Sequence, residues 1–122
     1  MTIPGIDIVL ISRIEKSLQA KGFKARVFGT HEMAEQEARG NKAQGFAACF
    51  AAKEAFSKSI GTGMRGFAHN EVELLHHESG APYISLSGNA LKIAKEKNAK
   101  FSVSISHDGD YAIAIVLLEE IV

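Results

Sequence analysis

One segment rich in alanine and phenylalanine constrains the fold more than any other part of the chain. It spans residues 46–63, FAACFAAKEAFSKSIGTG, and predicts a core helix over residues 44–60 that ends at Gly61 and Gly63. At about 100° per residue, a bulky apolar side consists of Phe46, Cys49, Phe56 and Ile60. Next to it runs a stripe of small residues, where another backbone can approach closely: Ala48, Ala51, Ala52, Ala55 and Ser59.

Periodicity and turn residues predict the remaining elements. Strands are expected over residues 5–11, 71–75, 83–87, 101–106 and 111–119, and helices over residues 30–39 and 89–97. Another helix begins at Arg13, after the capping-box sequence SRIE at residues 12–15, and Gly22 ends or interrupts it. Thr30 is the expected N-cap of a polar helix that lies on the surface. Because strands and helices do not alternate regularly, we predict an α+β fold with a largely antiparallel sheet, in one domain over residues 1–122.

The composition excludes several classes of function. Fourteen basic and 14 acidic residues cancel, which removes the whole-chain argument for binding nucleic acid or an anionic membrane. No apolar run approaches the ~20 residues of a membrane span, and the N-terminus lacks the basic segment of a signal peptide. We therefore expect a cytoplasmic protein. Cys49 is the only cysteine, so it cannot form an internal disulfide, and we predict a small packed side chain.

Three charged residues interrupt the predicted core helix. Lys53 lies among large apolar side chains, so it must extend to solvent or meet a partner. Glu54 and Lys58 lie one helical turn apart. The simplest interpretation of this spacing is an exposed ion pair that contributes roughly 0.3–0.5 kcal/mol.

Asp7 is a second anomaly, because aspartate is depleted in strands and an ionised carboxylate among Ile and Val needs a partner. One interpretation is a structural salt bridge to Lys53 or Arg13. The other joins Asp7 to Glu54 as oxygen ligands of Mg²⁺, a cation that often binds through one or two carboxylates together with substrate phosphates. Lys58, one turn beyond Glu54, would then face the same phosphates.

Other candidate residues give weaker signals. The loop Gly61-Thr62-Gly63 could bring backbone N–H groups close to an anion, although such a sequence is more often a helix stop. His107 precedes a tight turn at residues 108–110 and by itself is more often a turn residue than a catalyst. The spacing of the other histidines singles out no metal site; they are His31, His69, His76 and His77.

Four segments, taken in order, carry a family resemblance. They are GIDIV with ISRIE, FAAKEAFSKSIGTG, SGAPYISLSG and SISHDGDYAIAIV, which together span nearly the whole chain. They closely resemble the holo-[acyl-carrier-protein] synthases, a family of 4′-phosphopantetheinyl transferases. The resemblance implies that family's fold, a homotrimer with active sites between subunits, and a role in fatty acid biosynthesis. The implied reaction transfers 4′-phosphopantetheine from coenzyme A to a serine of apo acyl carrier protein and releases adenosine 3′,5′-bisphosphate.

Carried across residue by residue, the resemblance implies a magnesium-dependent site. Asp7 and Glu54 would be the metal ligands, and both would act in catalysis with Lys58. The residues that build the coenzyme A pocket would be Phe50, Lys58, Gly61, Gly63, Pro82 and His107. The serine proton would pass to a metal-bound water or to a carboxylate such as Glu54 acting through water, and the sequence leaves this choice open. Because acyl carrier proteins are acidic, we expect a docking patch of Arg13, Lys16, Lys24 and Arg26.

The chain departs from the family pattern at basic positions. Cys49 stands where the motif commonly has Arg, Ala81 where Lys is usual, and Gly22 where a basic residue is frequent. These losses would weaken binding of a phosphate-rich coenzyme, and the role of Lys53, as ligand contact or support, stays open. Two alternatives follow: a non-catalytic relative that binds coenzyme A or carrier protein, and a magnesium-dependent pyrophosphate hydrolase that uses the same carboxylates.

Overall fold

The computed structural model describes residues 1–121 of the 122-residue chain. In chain order the elements are β1 (Thr2–Leu10), α1 (Ile11–Ser17), α2 (Phe23–Val27), α3 (Thr30–Ala38), α4 (Ala43–Ser59), a 3₁₀ turn (His69–Glu71), β2 (Val72–His76), β3 (Pro82–Leu86), α5 (Gly88–Glu96), β4 (Ala99–Asp108) and β5 (Tyr111–Glu120). The predicted α+β class is confirmed. Across residues 1–121, no helix has the length and apolar character that crossing a membrane requires.

The strands form two antiparallel sheets. The larger sheet has the order β1-β5-β4, and β2 pairs with β3 in a separate hairpin. In the larger sheet, Asp7 on β1 lies opposite Ala114 on β5, and Ala114 lies opposite Ile105 on β4. Asp7 therefore lies on an edge strand. The edge position also explains how β1 tolerates Pro4, because proline has no N–H to offer a second neighbouring strand.

Helix α4 packs across the inner face of the larger sheet and forms the centre of the core. A Cβ atom added to Gly5 would lie 2.0 Å from the Ala55 carbonyl oxygen and 2.6 Å from the Ser59 nitrogen, so glycine is required where β1 crosses the helix. On β5 the facing residues are Ala112 and Ala114, both fully buried. The small stripe predicted from the helical wheel is thus confirmed as a surface of close backbone packing.

Cys49 is fully buried in this core, as predicted. Its Sγ accepts a weak hydrogen bond from Gln36 Nε2 at 3.7 Å. Burial, together with the nearby negative charge of Glu32, raises the pKa of the thiol well above its usual range. Since the thiolate is the reactive form, Cys49 acts as a packing residue.

The start of α1 differs from the prediction. No capping box forms at Ser12; the helix begins at Ile11, and its N-cap residue Leu10 supplies no side-chain cap. The Ser12 hydroxyl instead donates to Asp110 Oδ2 at 2.5 Å, and the Ser12 N–H donates to Asp110 Oδ1 at 2.9 Å. A carboxylate from the β4–β5 turn therefore satisfies the helix terminus, so a tertiary contact replaces the local cap.

Helix α3 also differs from the prediction. Gly29 is the N-cap, and Thr30 is the first helical residue. Carboxylates replace the expected threonine cap, because Glu32 Oε1 accepts the Gly29 N–H at 3.1 Å and Glu73 Oε2 accepts the Glu32 N–H at 2.7 Å. The helix lies on the surface, as predicted, with most of its residues exposed, but its inner face buries Glu32 completely and leaves Gln36 only 3% exposed. Hydrophobic patterning misses this buried face because the side chains on it are polar.

The outer face of the larger sheet is apolar where β1 and β5 pair; we refer to it as the β1–β5 face. The register places Ile6 opposite Ile115 and Ile8 opposite Ile113. Large apolar side chains that remain exposed on it are Ile6 (58%), Ile8 (57%), Leu10 (40%) and Tyr111 (47%). A contiguous apolar surface of this kind marks a contact with another molecule.

Candidate active site

Asp7 lies on the inner face of β1, where the strand crosses α4. Its Oδ1 accepts a hydrogen bond from Lys58 Nζ at 3.1 Å, and the same amino group donates to the Ile6 carbonyl oxygen at 2.9 Å. Lys58 is half exposed, whereas Asp7 is largely covered. An ammonium group has three N–H donors, so one of them stays available for a further acceptor on the solvent side.

The pKa of Asp7 is raised above its ordinary value. Burial is the largest cause; hydrogen bonding and charge from Lys58 oppose it, the negative charge of Glu54 adds to it, and the charge of Arg13 opposes it. Glu54 is therefore close enough to repel Asp7. A divalent cation relieves such repulsion, so the pair is suited to binding one.

Glu54 extends from α4 and is held by a histidine. The His69 Nε2 atom lies 3.2 Å from Glu54 Oε1. The ring of His69 stacks on Phe50, with centroids 5.8 Å apart and planes inclined by 16°. Phe50 and Glu54 lie one turn apart on α4, so a single imidazole contacts both residues.

The two carboxylates fit Mg²⁺ by their chemistry. In the part of the chain that the structure describes, Asp7 Oδ2 and Glu54 Oε2 have no hydrogen-bond partner, so each group has one uncommitted oxygen. Hard oxygen ligands in this small number suit Mg²⁺, which retains several waters. Residues 1–121 contain no group of three or more His, Cys, Asp or Glu side chains arranged to hold a metal. The pair would therefore need water and substrate oxygens to complete the coordination shell.

The simpler interpretations of Asp7, Glu54 and Lys58 do not hold. Within residues 1–121, Lys58 pairs with Asp7 across the helix–strand contact, and no ion pair joins it to Glu54. Asp7 likewise forms no salt bridge with Arg13 in this range; Arg13 acts on it only through charge. The i,i+4 pairing does not form because Lys58 Nζ bonds to Asp7 and to the Ile6 carbonyl oxygen.

Lys53 belongs to a different, fully buried ion pair. Its Nζ donates to Glu32 Oε1 at 2.5 Å and to the backbone carbonyl oxygen of Val72, with both side chains of the pair inaccessible to solvent. The other Glu32 oxygen accepts the Leu74 N–H at 2.8 Å. The salt bridge considered between Asp7 and Lys53 is therefore wrong. Lys53 supports the site by joining α4 to α3 and β2, and its burial keeps it from a ligand.

The loop after α4 follows Lys58 directly. Gly61 and Gly63 have φ of 80° and 62°, the left-handed conformation that ends a helix, as predicted. A Cβ added at either position would meet nothing within 4 Å, so the backbone here is open. Phe50, on the other side of Glu54, lines a recess of about 120 Å³ together with Arg13. These predicted pocket residues flank the carboxylate pair.

Pro82 and His107 do not join this group within one chain. Pro82 begins β3 and pairs with His76, and His107 lies on β4, two strands from β1. His107 instead lines a groove of about 280 Å³ with Arg39, Lys42 and His76. The chain therefore has a second, basic surface at the edge of the sheet opposite Asp7.

Two residues that hold charged side chains of α4 in place carried no signal in the sequence. His69 stands alone in a loop, and Glu32 lies in a helix whose polar composition indicated a solvent-facing position. Both pair with α4 across long sequence separations. Only the tertiary fold brings them to Glu54 and Lys53, so no spacing rule could have found them.

A sequence model of the 4′-phosphopantetheinyl transferase superfamily matches residues 4–116. The chain belongs to this superfamily. A holo-[acyl-carrier-protein] synthase of Fusobacterium nucleatum subsp. nucleatum is 40% identical over 116 residues, which cover 93% of this chain and 95% of that protein. The family resemblance seen in the sequence is thereby confirmed.

Solved structures of the family share the fold. The chain is similar to the holo-[acyl-carrier-protein] synthase of Neisseria meningitidis, with a TM-score of 0.88, 30% identity and coverage of 97% of this chain and 98% of that one. It is also similar to the Helicobacter pylori synthase solved in complex with coenzyme A, with a TM-score of 0.84, 32% identity and coverage of 96% and 100%. The fold expected for a 4′-phosphopantetheinyl transferase is confirmed.

Proposed function

We propose that this chain transfers the 4′-phosphopantetheine group of coenzyme A to a serine of apo acyl carrier protein, in the cytoplasm, as a step of fatty acid biosynthesis. Its relatives over nearly the full chain are holo-[acyl-carrier-protein] synthases, and one solved relative holds coenzyme A. The observation that carries the proposal is the retained pair of Asp7 and Glu54 with Lys58 at the same place. A phosphoryl-transfer site needs charge neutralisation of this kind more than a covalent catalyst.

In this proposal Asp7 and Glu54 would hold Mg²⁺, because within the described residues each has one oxygen without a hydrogen-bond partner. When bound, the cation supplies neutralisation of the charge on the pyrophosphate of coenzyme A. Lys58 directs its remaining N–H toward the same phosphates, and its bond to Asp7 keeps the amino group in place. The serine oxygen bonds to the phosphorus that bears pantetheine, the P–O bond to adenosine 3′,5′-bisphosphate breaks, and the serine proton would pass to a water at the carboxylate pair or, through water, to Glu54.

The coenzyme pocket extends over two subunits of a homotrimer. The apolar β1–β5 face supports such an assembly, because large exposed side chains would otherwise face water. The basic groove of Arg39, Lys42 and His107 would supply phosphate contacts from the adjacent subunit. Arg39 and Lys42 would thereby compensate for the Arg that Cys49 replaces, and His107 would have the role that the resemblance implies. Pro82 belongs to the same composite pocket.

The carrier protein docks near α1 and α2 in this proposal. Arg13 lines the recess beside Phe50, and Lys16 is an exposed residue in the last turn of α1. Lys24 is partly engaged, since its Nζ lies 4.7 Å from the centre of the Phe46 ring and donates to Asn41. Together with Arg26, these side chains form a basic patch that suits an acidic partner.

The test is to mix the chain with apo acyl carrier protein, coenzyme A and Mg²⁺ and to measure the mass of the carrier. We expect a gain of one phosphopantetheine arm, and loss of the gain in Asp7→Asn and Glu54→Gln by at least ~10²-fold. Glu37→Gln, an exposed carboxylate on α3, is the matched control. No mass gain with the wild-type chain contradicts the proposal. Binding without transfer would indicate a non-catalytic relative, and release of bisphosphate without carrier would indicate a hydrolase.

A further inference from the structure

His69 contacts two residues of α4 that belong to the candidate site. It is the first residue of the 3₁₀ turn between α4 and β2, and its side chain is 29% exposed. The Ala68 N–H bonds to Glu71 Oε1 at 2.9 Å, and the Asn89 N–H bonds to Glu71 Oε2 at 3.0 Å. The first bond closes the turn on itself and the second joins it to α5, so the backbone that carries His69 is anchored by a tertiary contact.

The orientation of the imidazole is fixed by two different contacts. Stacking on Phe50, at 5.8 Å and 16°, sets the plane of the ring. The 3.2 Å contact to Glu54 Oε1 sets the direction of Nε2. An ionised carboxylate only accepts hydrogen bonds, so Nε2 carries the hydrogen and donates it. His69 therefore presents a directed donor to one oxygen of Glu54.

The bond to His69 gives the two oxygens of the Glu54 carboxylate different roles. A glutamate on a helix surface samples several rotamers, and fixing Oε1 restricts it to one of them. Oε2 then stays uncommitted within the described residues. Asp7 shows the same division, because Lys58 occupies Oδ1 and leaves Oδ2 uncommitted. Each carboxylate of the pair thus has one oxygen bound to a neighbouring side chain and one that is available.

We propose that His69 is a positioning residue for the cation site: its Nε2–H holds Glu54 Oε1 so that the other oxygen is presented to a divalent cation. Hydrogen bonds from such neighbours to ligating carboxylates orient the ligands, and losing one weakens metal binding by about 10- to 100-fold. The inference rests on the proposed function for the identity of the reaction, while its first test needs only the metal. It assigns His69 a role that no motif in the sequence predicted.

The test compares two variants of His69 with a matched control. His69→Phe keeps an aromatic ring on Phe50 and removes the donor, whereas His69→Gln removes the ring and keeps an N–H near the position of Nε2. The control is His77→Phe, because His77 also stacks on an aromatic ring, that of Tyr83, at 4.3 Å and 22°, away from the carboxylates. Each protein is titrated with Mn²⁺ alone, and free Mn²⁺ is measured by electron paramagnetic resonance.

We expect His69→Phe to bind Mn²⁺ about 10- to 100-fold more weakly than wild type, His69→Gln to recover most of the affinity, and His77→Phe to match wild type. Equal binding by His69→Phe and wild type overturns the proposal. So does equal weakening in both His69 variants, because stacking and not the hydrogen bond would then matter. Absence of Mn²⁺ binding by the wild type, with or without coenzyme A, also overturns it.

A second measurement tests the His69–Glu54 bond without a His69 variant, so it does not depend on the folding of such a variant. In the wild-type protein, long-range ¹H–¹⁵N NMR of the imidazole should show a hydrogen on Nε2 of His69, with a shift that changes in Glu54→Gln. A spectrum in which Glu54→Gln leaves the His69 signals unchanged contradicts the assigned bond. Failure of the proposed transferase reaction is seen separately, in the carrier assay, because neither Mn²⁺ titration nor NMR uses the carrier protein.

Discussion

Lys58 Nζ lies 3.1 Å from Asp7 Oδ1, so the lysine of α4 pairs with the carboxylate of β1 and not with Glu54 on its own helix. The pairing joins the two elements that carry the site. It also places a positive charge beside two carboxylates, in the proposed phosphate-binding site. A salt bridge of this exposure contributes little stability, so its value lies in positioning.

Lys58→Met should reduce transfer by about 10²- to 10³-fold, because it removes a donor to the phosphates whose charge changes during the reaction. The variant should fold normally, since the Lys58 side chain is half exposed. Steady-state kinetics with coenzyme A and apo carrier protein check the prediction, with Lys92→Met on the exposed side of α5 as the control. Near-normal kcat in Lys58→Met would show that stabilisation of the phosphate charge during transfer does not require this residue.

Asp7→Asn should stabilise the metal-free protein at pH 7 while it abolishes transfer. The folded-state pKa of Asp7 is raised, mainly by burial, so folding favours the protonated carboxyl. Ionised Asp7 therefore lowers the free energy of unfolding. This loss is absent below the ordinary pKa of aspartate, about 3.9, and is complete once the pH exceeds the folded-state pKa. Asparagine cannot ionise and avoids this loss.

Thermal melts in EDTA between about pH 4 and 7 test this sign. The Tm advantage of Asp7→Asn over wild type should grow as the pH rises through this window. Adding Mg²⁺ should raise the Tm of wild type more than that of the variant, because only wild type retains both carboxylates. A variant that loses stability relative to wild type as the pH rises would refute the argument.

Lys53→Met should destabilise the protein by about 3–5 kcal/mol, because it leaves the buried carboxylate of Glu32 without its cation. Lys53→Met combined with Glu32→Gln should lose less than the sum of the single changes, since the buried charge is removed with its partner. Urea unfolding of the single and double variants provides the measurement. If Lys53→Met lowers the free energy of unfolding by less than about 1 kcal/mol, the buried ion pair contributes no more than an exposed surface pair does.

Ile8→Lys should dissociate the proposed homotrimer. Ile8 lies on the β1–β5 face and is 57% exposed in the single chain, so a lysine there is compatible with the fold and opposes burial between subunits. Sedimentation velocity of wild type, Ile8→Lys and the β2–β3 turn variant Glu78→Lys should show trimer loss only in Ile8→Lys. Transfer should fall together with the trimer, because the proposed coenzyme pocket is shared between subunits. A monomeric wild-type protein with full activity would exclude the composite pocket.

Lys16→Glu should raise the KM for apo carrier protein by about 10-fold and leave the KM for coenzyme A unchanged, because a charge at the rim of an interface steers association. The effect should shrink at high salt, as expected for an exposed charge. Lys92→Glu on α5 has the same charge change outside the patch and should behave as wild type. Equal effects of the two variants would show that the docking patch lies elsewhere.

Local pattern was sufficient for most elements of this fold, although it predicted neither α2 as a separate helix nor the 3₁₀ turn. The 3.6-residue period of α4, with its small stripe and terminal glycines, and the alternation in β1, β4 and β5 identify each element within a few residues. Both anomalies that mark the site, Asp7 in a strand and Glu54 in an apolar helix, are also visible in the sequence. Each depends on neighbours within one or two turns, which is the range over which sequence patterns report structure.

Only the tertiary structure determines which polar and charged side chains bond to one another. Lys58 bonds to Asp7, Lys53 to Glu32, Ser12 to Asp110 and Glu54 to His69, and the local alternatives for these groups are not used. The physical reason is that a charged or polar group near the core must satisfy its hydrogen-bonding capacity with whatever the packed elements bring to it. Which partner a group finds depends on how β1, α3 and the 3₁₀ turn pack against α4. Residue spacing along the chain does not predict those contacts.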